Sequence, residues 1–136
     1  MWMIFMISLI LLRSWTTSKI YIGTDIVSVK RIAKLLNENG TRFKNKIFTS
    51  HEIDYCDKKT NSSIHYSGRF AAKESIKKCL LSSKIISQID LKQIEILSMD
   101  DGAPIVSKLN DINYKYIKVS ISHENDYAIA FSILKR

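Results

Sequence analysis

The sequence predicts an α+β domain, with two or three helices packed on one face of a largely antiparallel sheet of about five strands. In the first half of the chain, apolar residues recur mainly at helical spacing, whereas in the second half they alternate with polar residues. Turn-forming residues separate the alternating stretches, as they do in hairpins. Hydrophobic residues make up 46% of the 136 residues, which is enough for one domain with its own core.

The first predicted element is a strand that starts at Lys19, where isoleucines alternate with other residues, and ends near residues 26–27. Ser28 is in position to cap the helix that follows. Apolar residues at 29, 32, 33 and 36 give this helix one buried face. Gly40 is expected to end it, because glycine favours the position just after a helix.

Two further helices are predicted before the chain changes its period. Thr49 or Ser50 can cap a short helix that continues to about Tyr55. Residues 57–63 are polar and predict a loop. A central helix should then run from about residue 64 or 67 to Ser82.

The second half is predicted to form two hairpins. The sequence Asp100-Asp101-Gly102 is a strong turn signal, and residues 123–126 form the second turn. The strands on either side of these turns are expected at residues 91–97, 103–109, 117–121 and 127–133.

Residues 1–18 form an apolar leader that we treat separately from the domain at residues 19–136. Its twelve nearly continuous apolar residues are too few to span a bilayer as a helix. No positive region precedes them and no small-residue cleavage site follows, so a signal peptide is not indicated. The leader could be an interfacial anchor, a targeting remnant or an over-extended start. The last two are favoured, and membrane association is not expected.

The formal net charge of +8 favours an acidic partner. One hypothesis is a basic nucleic-acid-binding module without catalysis, since the stretch from Arg42 to Phe48 interleaves cations with aromatic rings. The two cysteines, Cys56 and Cys79, form no metal-binding or redox motif. Cys79 is expected to be buried, and a reducing, cytoplasmic location fits.

Glu74 is the first candidate for a functional residue. Ala72, Ile76, Cys79 and Leu80 form one apolar stripe of the central helix, and Glu74 points the other way between Phe70 and Leu81. A carboxylate in such surroundings should be partly buried, and it then needs a cation, a metal or hydrogen-bond donors.

Asp25 and Lys78 extend the candidate site. Two carboxylates, Asp25 from the strand end and Glu74 from the helix, would suit Mg²⁺ completed by water and phosphate. Lys78 is within reach of Glu74 and could neutralise phosphate charge. Ser122 and His123, at another strand end, could contact phosphate or take part in proton transfer, although a histidine there can also be a simple turn residue.

Four motifs resemble those of the holo-[acyl-carrier-protein] synthase family, the small type of 4′-phosphopantetheinyl transferase. The chain is similar to this family in the same order from about residue 19 to 134. The central motif is the most specific, because every fixed position matches. The motifs are Ile22-Gly23-Thr24-Asp25, residues 70–78 (FAAKESIKK), Asp101-Gly102-Ala103-Pro104 and Val119-Ser120-Ile121-Ser122-His123.

The resemblance implies a reaction and a set of roles. The reaction moves 4′-phosphopantetheine from coenzyme A to a serine of apo acyl carrier protein. Asp25 and Glu74 would hold Mg²⁺, and Lys78 would steady the phosphoryl charge. Glu74 is also the expected acceptor of the serine proton. The residues expected to bind the nucleotide half of coenzyme A are Arg69, Gly102, Pro104, Ser122 and His123.

The resemblance also implies partners. Arg31, Arg42, Phe43 and Lys46 would dock the acidic carrier protein. The family is typically a homotrimer with active sites between subunits. The expected fold is the 4′-phosphopantetheinyl transferase fold, which agrees with the α+β prediction made from periodicity.

Overall fold

The structure is a computed structural model that describes residues 19–109 and 112–136. Within these residues, five strands and three helices confirm the predicted α+β class. The leader, residues 1–18, lies outside the described residues. In chain order, the elements are β1 (Ile20–Ser28), α1 (Val29–Ile47), α2 (Ser50–Asp57), α3 (Ser62–Ser82), a 3₁₀ turn (Leu91–Gln93), β2 (Ile94–Ser98), β3 (Pro104–Leu109), β4 (Tyr116–His123) and β5 (Tyr127–Lys135).

The five strands form two antiparallel sheets, where the sequence suggested one. A three-stranded sheet has the order β1-β5-β4, and β2 and β3 form a separate hairpin. In the larger sheet the first strand pairs with the last, with Ile20 opposite Lys135 and Ser28 opposite Tyr127. The division into two sheets depends on which strands meet in space, and alternation of residue types does not encode that choice.

The inner face of the larger sheet is covered by α3, which packs on β1, β5 and β4. The predicted apolar stripe at residues 72, 76, 79 and 80 is fully buried there, which confirms it. Gly23 allows the closest approach, because a Cβ atom at this position would lie 1.9 Å from the Ser75 carbonyl oxygen. The contact between β1 and α3 therefore requires glycine.

Helix α1 begins as predicted and ends later than predicted. The Ser28 hydroxyl accepts a hydrogen bond from the Arg31 N–H at 3.3 Å, which confirms the N-cap. The helix bends at Asn39 (φ −142°) and continues past Gly40 to Ile47, so Gly40 does not end it. The second part packs Phe43 and Ile47 against the core. This packing outweighs the cost of a glycine inside a helix, about 1 kcal/mol.

The start of α2 and the start of β2 are both set by capping. Thr49 caps α2 and forms a reciprocal pair with Glu52, as one of the two predicted caps. The strand expected from residue 91 begins at Ile94, because Leu91–Gln93 form a 3₁₀ turn capped by Asp90.

A buried ion pair joins α2 to α3. Lys73 Nζ lies 2.6 Å from the Glu52 carboxylate, and both side chains are fully buried. Lys73 also donates hydrogen bonds to the carbonyls of residues 47, 91 and 94. Burial lowers the pKa of Lys73, and the Glu52 charge opposes that shift. No local sequence pattern predicts this pair, since its two members lie in separate helices.

The other face of the three-stranded sheet is exposed and apolar. We call it the outer apolar face. Ile22 and Ile26 on β1 are each 62% exposed, and Phe131 on β5 is 44% exposed. Its exposed apolar side chains are Ile20, Ile22, Ile26, Tyr116, Tyr127, Ile129 and Phe131. Within residues 19–109 and 112–136, no helix is long and apolar enough to cross a membrane.

Candidate functional site

One part of the site lies where α3 crosses β1. Asp25 is in the middle of β1, opposite Ala130, and not at the strand end as predicted. The strand continues because its pairing with β5 extends three residues further, to Ser28. Since Asp25 lies two residues from Gly23, its side chain is on the same face of β1, towards α3.

Lys78 binds this strand directly. Its Nζ lies 2.9 Å from Asp25 Oδ1 and donates to the Thr24 carbonyl at 2.8 Å. Glu74 precedes Lys78 by one helical turn and is half-buried, which confirms the burial predicted for it. Among the residues that the structure describes, the Glu74 carboxylate pairs with no cation. The α3–β1 contact thus holds three predicted site residues, with one carboxylate unpaired.

A second part is a cavity of about 140 Å³, which we call the arginine pocket. It brings together four of the five residues expected to bind nucleotide. Ser122 is the exception. Its neighbours, Ile121 and His123, face the pocket, and successive residues of a strand face opposite sides of a sheet, so Ser122 faces away from it. The lining residues are Tyr55, Ile64, His65, Gly68, Arg69, Ser98, Gly102, Pro104, Ile121 and His123.

Arg69 is the central cation of the arginine pocket and is only 7% exposed. Its Nη2 donates to the Ser98 hydroxyl at 2.6 Å, and its guanidinium lies 4.6 Å from the centre of the Tyr55 ring. Its Nε is buried and has no hydrogen-bond partner in the described part of the chain. Buried donors are normally satisfied, so an unsatisfied guanidinium N–H points to an anionic ligand.

The turn between β2 and β3 forms one wall of the pocket. Gly102 has φ +86°, a conformation that glycine adopts without strain. The Asp101 carboxylate accepts a hydrogen bond from the Ala103 N–H at 2.9 Å and fixes the turn. The predicted turn at residues 100–102 is confirmed, and it places Gly102 and Pro104 beside Arg69.

His65 lines the arginine pocket, although no spacing in the sequence predicts a partner for it. Its ring centroid lies 6.0 Å from that of His123 and 5.8 Å from that of Tyr55. The signal that could have identified it is its position one helical turn before Arg69, which places both on one side of α3.

The residues expected to dock a carrier protein all lie in α1. Arg31, Arg42 and Lys46 are exposed. Phe43 is partly buried, where it stacks on Phe70 with ring centroids 6.3 Å apart.

The aromatic rings that motivated the nucleic-acid hypothesis are held in the fold. Phe48 is fully buried, with its ring edge-on to that of Tyr66. Phe43 stacks on Phe70, so both phenylalanines of the 42–48 stretch are engaged in packing within the protein. The hypothesis therefore loses the feature on which it depended.

Thiol chemistry is not supported at either cysteine. Cys56 and Cys79 are both free and buried, as predicted for Cys79. Burial raises the pKa of Cys56 to about 12, which keeps the thiol protonated. The described residues also contain no group of three or more His, Cys, Asp and Glu side chains that could hold a metal ion.

The fold and the two parts of the site define a small α+β protein with a cationic pocket suited to a phosphate-bearing ligand. Residues 21–132 match the pattern of the 4′-phosphopantetheinyl transferase superfamily. The chain belongs to this family. The match confirms the resemblance carried by the four motifs.

Individual relatives agree over most of the chain. The holo-[acyl-carrier-protein] synthase of Thermodesulfovibrio yellowstonii is 42% identical over 113 residues, which cover 83% of this chain and 96% of that protein. The fold is similar to that of a Bacillus anthracis synthase in complex with CoA (3′,5′-ADP), with a TM-score of 0.73, 29% identity and coverage of 88% and 98%. A Helicobacter pylori synthase in complex with coenzyme A gives a TM-score of 0.72 at 30% identity, with coverage of 83% and 98%.

Proposed function

We propose that this chain transfers 4′-phosphopantetheine from coenzyme A to a serine of apo acyl carrier protein, for fatty-acid biosynthesis. The second product is adenosine 3′,5′-bisphosphate. The proposal depends mainly on the unpaired Nε of Arg69, which is buried in the pocket that His123 also lines. A buried guanidinium N–H without a partner indicates an anionic ligand. The names of the relatives support the choice of that ligand.

The arginine pocket would bind the nucleotide half of coenzyme A. Arg69 supplies charged donors for phosphate, and His123, which lines the same cavity, supplies a ring nitrogen. Gly102 and Pro104 provide a wall without long side chains, which leaves room for a purine. Ser122 lies outside this cavity, so a contact with the nucleotide would require a different part of the ligand.

Asp25 and Glu74 would hold Mg²⁺ at the α3–β1 contact. These two side chains suit the ion, because Mg²⁺ takes one or two carboxylates and completes its shell with water and phosphate oxygens. The half-buried Glu74 without a cation supports it. When bound, the ion would neutralise charge on the pyrophosphate.

The transfer itself needs positioning and charge stabilisation more than covalent chemistry. The serine oxygen of the carrier protein attacks phosphorus, and the bond from phosphorus to the oxygen of adenosine 3′,5′-bisphosphate breaks. Glu74 would accept the serine proton. Lys78, held at the site by Asp25, would stabilise the charge that moves to the leaving group.

The carrier protein would dock along α1. Arg31, Arg42 and Lys46 offer exposed cations to an acidic surface, which steers association. Phe43, which is only partly buried, would add an apolar contact. The net charge of +8 supports an acidic partner.

A homotrimer in the cytoplasm completes the proposal. The outer apolar face supports self-association, because exposed contiguous apolar surface of this kind marks interfaces. The two buried, unpaired cysteines are consistent with a reducing compartment.

Mass spectrometry of a carrier protein tests the reaction. Purified apo acyl carrier protein is incubated with the chain, coenzyme A and Mg²⁺, with EDTA in a matched sample. We expect the carrier to gain the mass of one phosphopantetheine arm only when Mg²⁺ is present. A folded chain that modifies none of several carrier proteins would exclude the transferase.

A further inference from the structure

His65 belongs to the arginine pocket and has no role in the reaction proposed above. It is partly buried on α3, and its ring packs at a steep angle against the rings of Tyr55 of α2 and His123 of β4. The side chain is therefore held in place from two elements, and it lines the same small cavity as the unsatisfied Arg69.

We propose that His65 is a further ligand-binding residue, which acts with His123 and Arg69 on the anionic groups of a nucleotide and gains a proton as the ligand binds. This inference rests on the proposed function, because the ligand is the phosphate-bearing nucleotide half of coenzyme A. It adds a residue and a pH dependence that the transfer reaction does not require.

The described groups that surround His65 in the pocket are neutral or positive. Tyr55 faces it from α2, Lys59 from the loop after α2, Arg69 from its own helix and His123 from β4. Among residues 19–109 and 112–136, no aspartate or glutamate lines the cavity. Burial, and then the charges of Lys59, His123 and Arg69, lower the pKa of His65 in the free protein.

A bound phosphate shifts the pKa of His65 in the opposite direction. Its negative charge compensates Arg69 and favours an imidazolium, so the pKa of His65 is higher in the complex than in the free protein. Between these two pKa values the complex holds more protons than the separated partners. Affinity therefore rises as pH falls through that window, by about tenfold per pH unit at most for a single proton.

Calorimetry with adenosine 3′,5′-bisphosphate tests the inference without the transfer reaction. Binding to the full chain is measured from pH 7.5 to 6.0 in buffers of different ionisation enthalpy, which counts the protons taken up. The phosphates have their own pKa near 6, but that contribution is common to all variants. Relative to His65→Phe, we expect the wild-type chain to gain about threefold or more in affinity over this range.

The chain contains three histidines, so a histidine outside the pocket is available as a control. His51→Gln, outside the pocket and beside Glu95, should retain the wild-type pH dependence. His65→Gln replaces His65→Phe if the latter does not fold. Histidine resonances followed by NMR should show the pKa of His65 rising when the nucleotide is added.

Two results would overturn the inference, and they differ. Nucleotide binding by His65→Phe with the proton uptake and pH dependence of the wild type would exclude His65 alone. Failure of the folded wild-type chain to bind nucleotide at every pH would exclude the nucleotide pocket and the proposed function together.

Discussion

Lys73 and Glu74 are neighbours in the sequence and face opposite environments. Successive residues of a helix differ by about 100° in direction, so one side chain can enter the core while the next reaches the site. Lys73 is fully buried against Glu52, whereas Glu74 is half-buried without a cation. One residue stabilises the fold and the other is available for chemistry.

Replacing Glu74 should therefore affect activity and not stability. We expect Glu74→Gln to reduce transfer to the carrier protein by about a hundredfold or more, because a group that stabilises charge or moves a proton in the transition state is lost. The initial rate is measured by mass spectrometry, and the unfolding midpoint by urea titration. Glu38→Gln, on the exposed face of α1, is the matched control and should not lower the rate, because it removes no cation from the helix proposed to dock the acidic carrier. An unchanged rate in Glu74→Gln would show that Glu74 takes no part in the transfer.

Replacing Lys73 should have the opposite effect. Lys73→Met leaves the Glu52 carboxylate buried without its cation, and breaking such a pair costs about 3–5 kcal/mol. The free energy of unfolding, from urea titration followed by circular dichroism, measures this loss. Lys77→Met, on a half-exposed position of the same helix, should change it by no more than about 0.5 kcal/mol. Equal unfolding midpoints in the two variants would contradict the role given to the buried pair.

At the residue scale, the sequence predicts site residues whose surroundings come from a single motif. It does not predict residues whose contacts come from distant segments of the chain. Glu74 was recognised from its neighbours along one helix. Lys73 was not, because its partners are Glu52 and three carbonyls from distant parts of the chain. His65 was missed for the same reason, since its contacts with Tyr55 and His123 are tertiary.

The close contact between α3 and β1 gives a prediction about elements. In Gly23→Ala the added Cβ would lie 1.9 Å from a helix carbonyl oxygen, so α3 must move away from the sheet. We expect a loss of about 3 kcal/mol or more in the free energy of unfolding, as for severe overpacking. Transfer activity should fall as well, because α3 carries Glu74 and Lys78 towards Asp25.

Gly40→Ala is the control for this substitution. A Cβ at residue 40 meets no atom within 4 Å, and alanine favours the helix that runs through it. The free energy of unfolding should stay the same or rise by up to about 1 kcal/mol. If Gly23→Ala were as stable as Gly40→Ala, the α3–β1 contact would not be as close as the structure shows.

Element types were predicted well and element ends less well. Alternation and turn residues located both hairpins, because these signals are local. Gly40 was expected to stop α1, but packing of the following turn against the core extends the helix. Asp25 was expected at a strand end, but pairing with β5, which is distant in sequence, lengthens β1.

For the whole molecule, the outer apolar face predicts association. Ile22→Lys places a charge at a position that is 62% exposed, near the centre of β1. If the proposed homotrimer uses this face, sedimentation should show the wild-type chain as a trimer and the variant as a monomer, since burying an unpaired charge is strongly unfavourable. Ile105→Lys, at a 44% exposed position on the separate hairpin, should remain trimeric. A monomeric wild type at micromolar concentration would contradict the use of this face.

The pairing of β1 with β5 has a consequence for biosynthesis. Among the described residues, β1 pairs only with β5, and the Arg136 N–H bonds to the Lys19 carbonyl at 3.0 Å. The ribosome must therefore release β5 before the larger sheet can close, and β1 emerges about a hundred residues before its partner. Contacts this distant in sequence slow folding and leave an apolar strand uncovered during synthesis. Nascent chains of this protein should accordingly depend on chaperones that hold extended apolar segments until β5 has emerged.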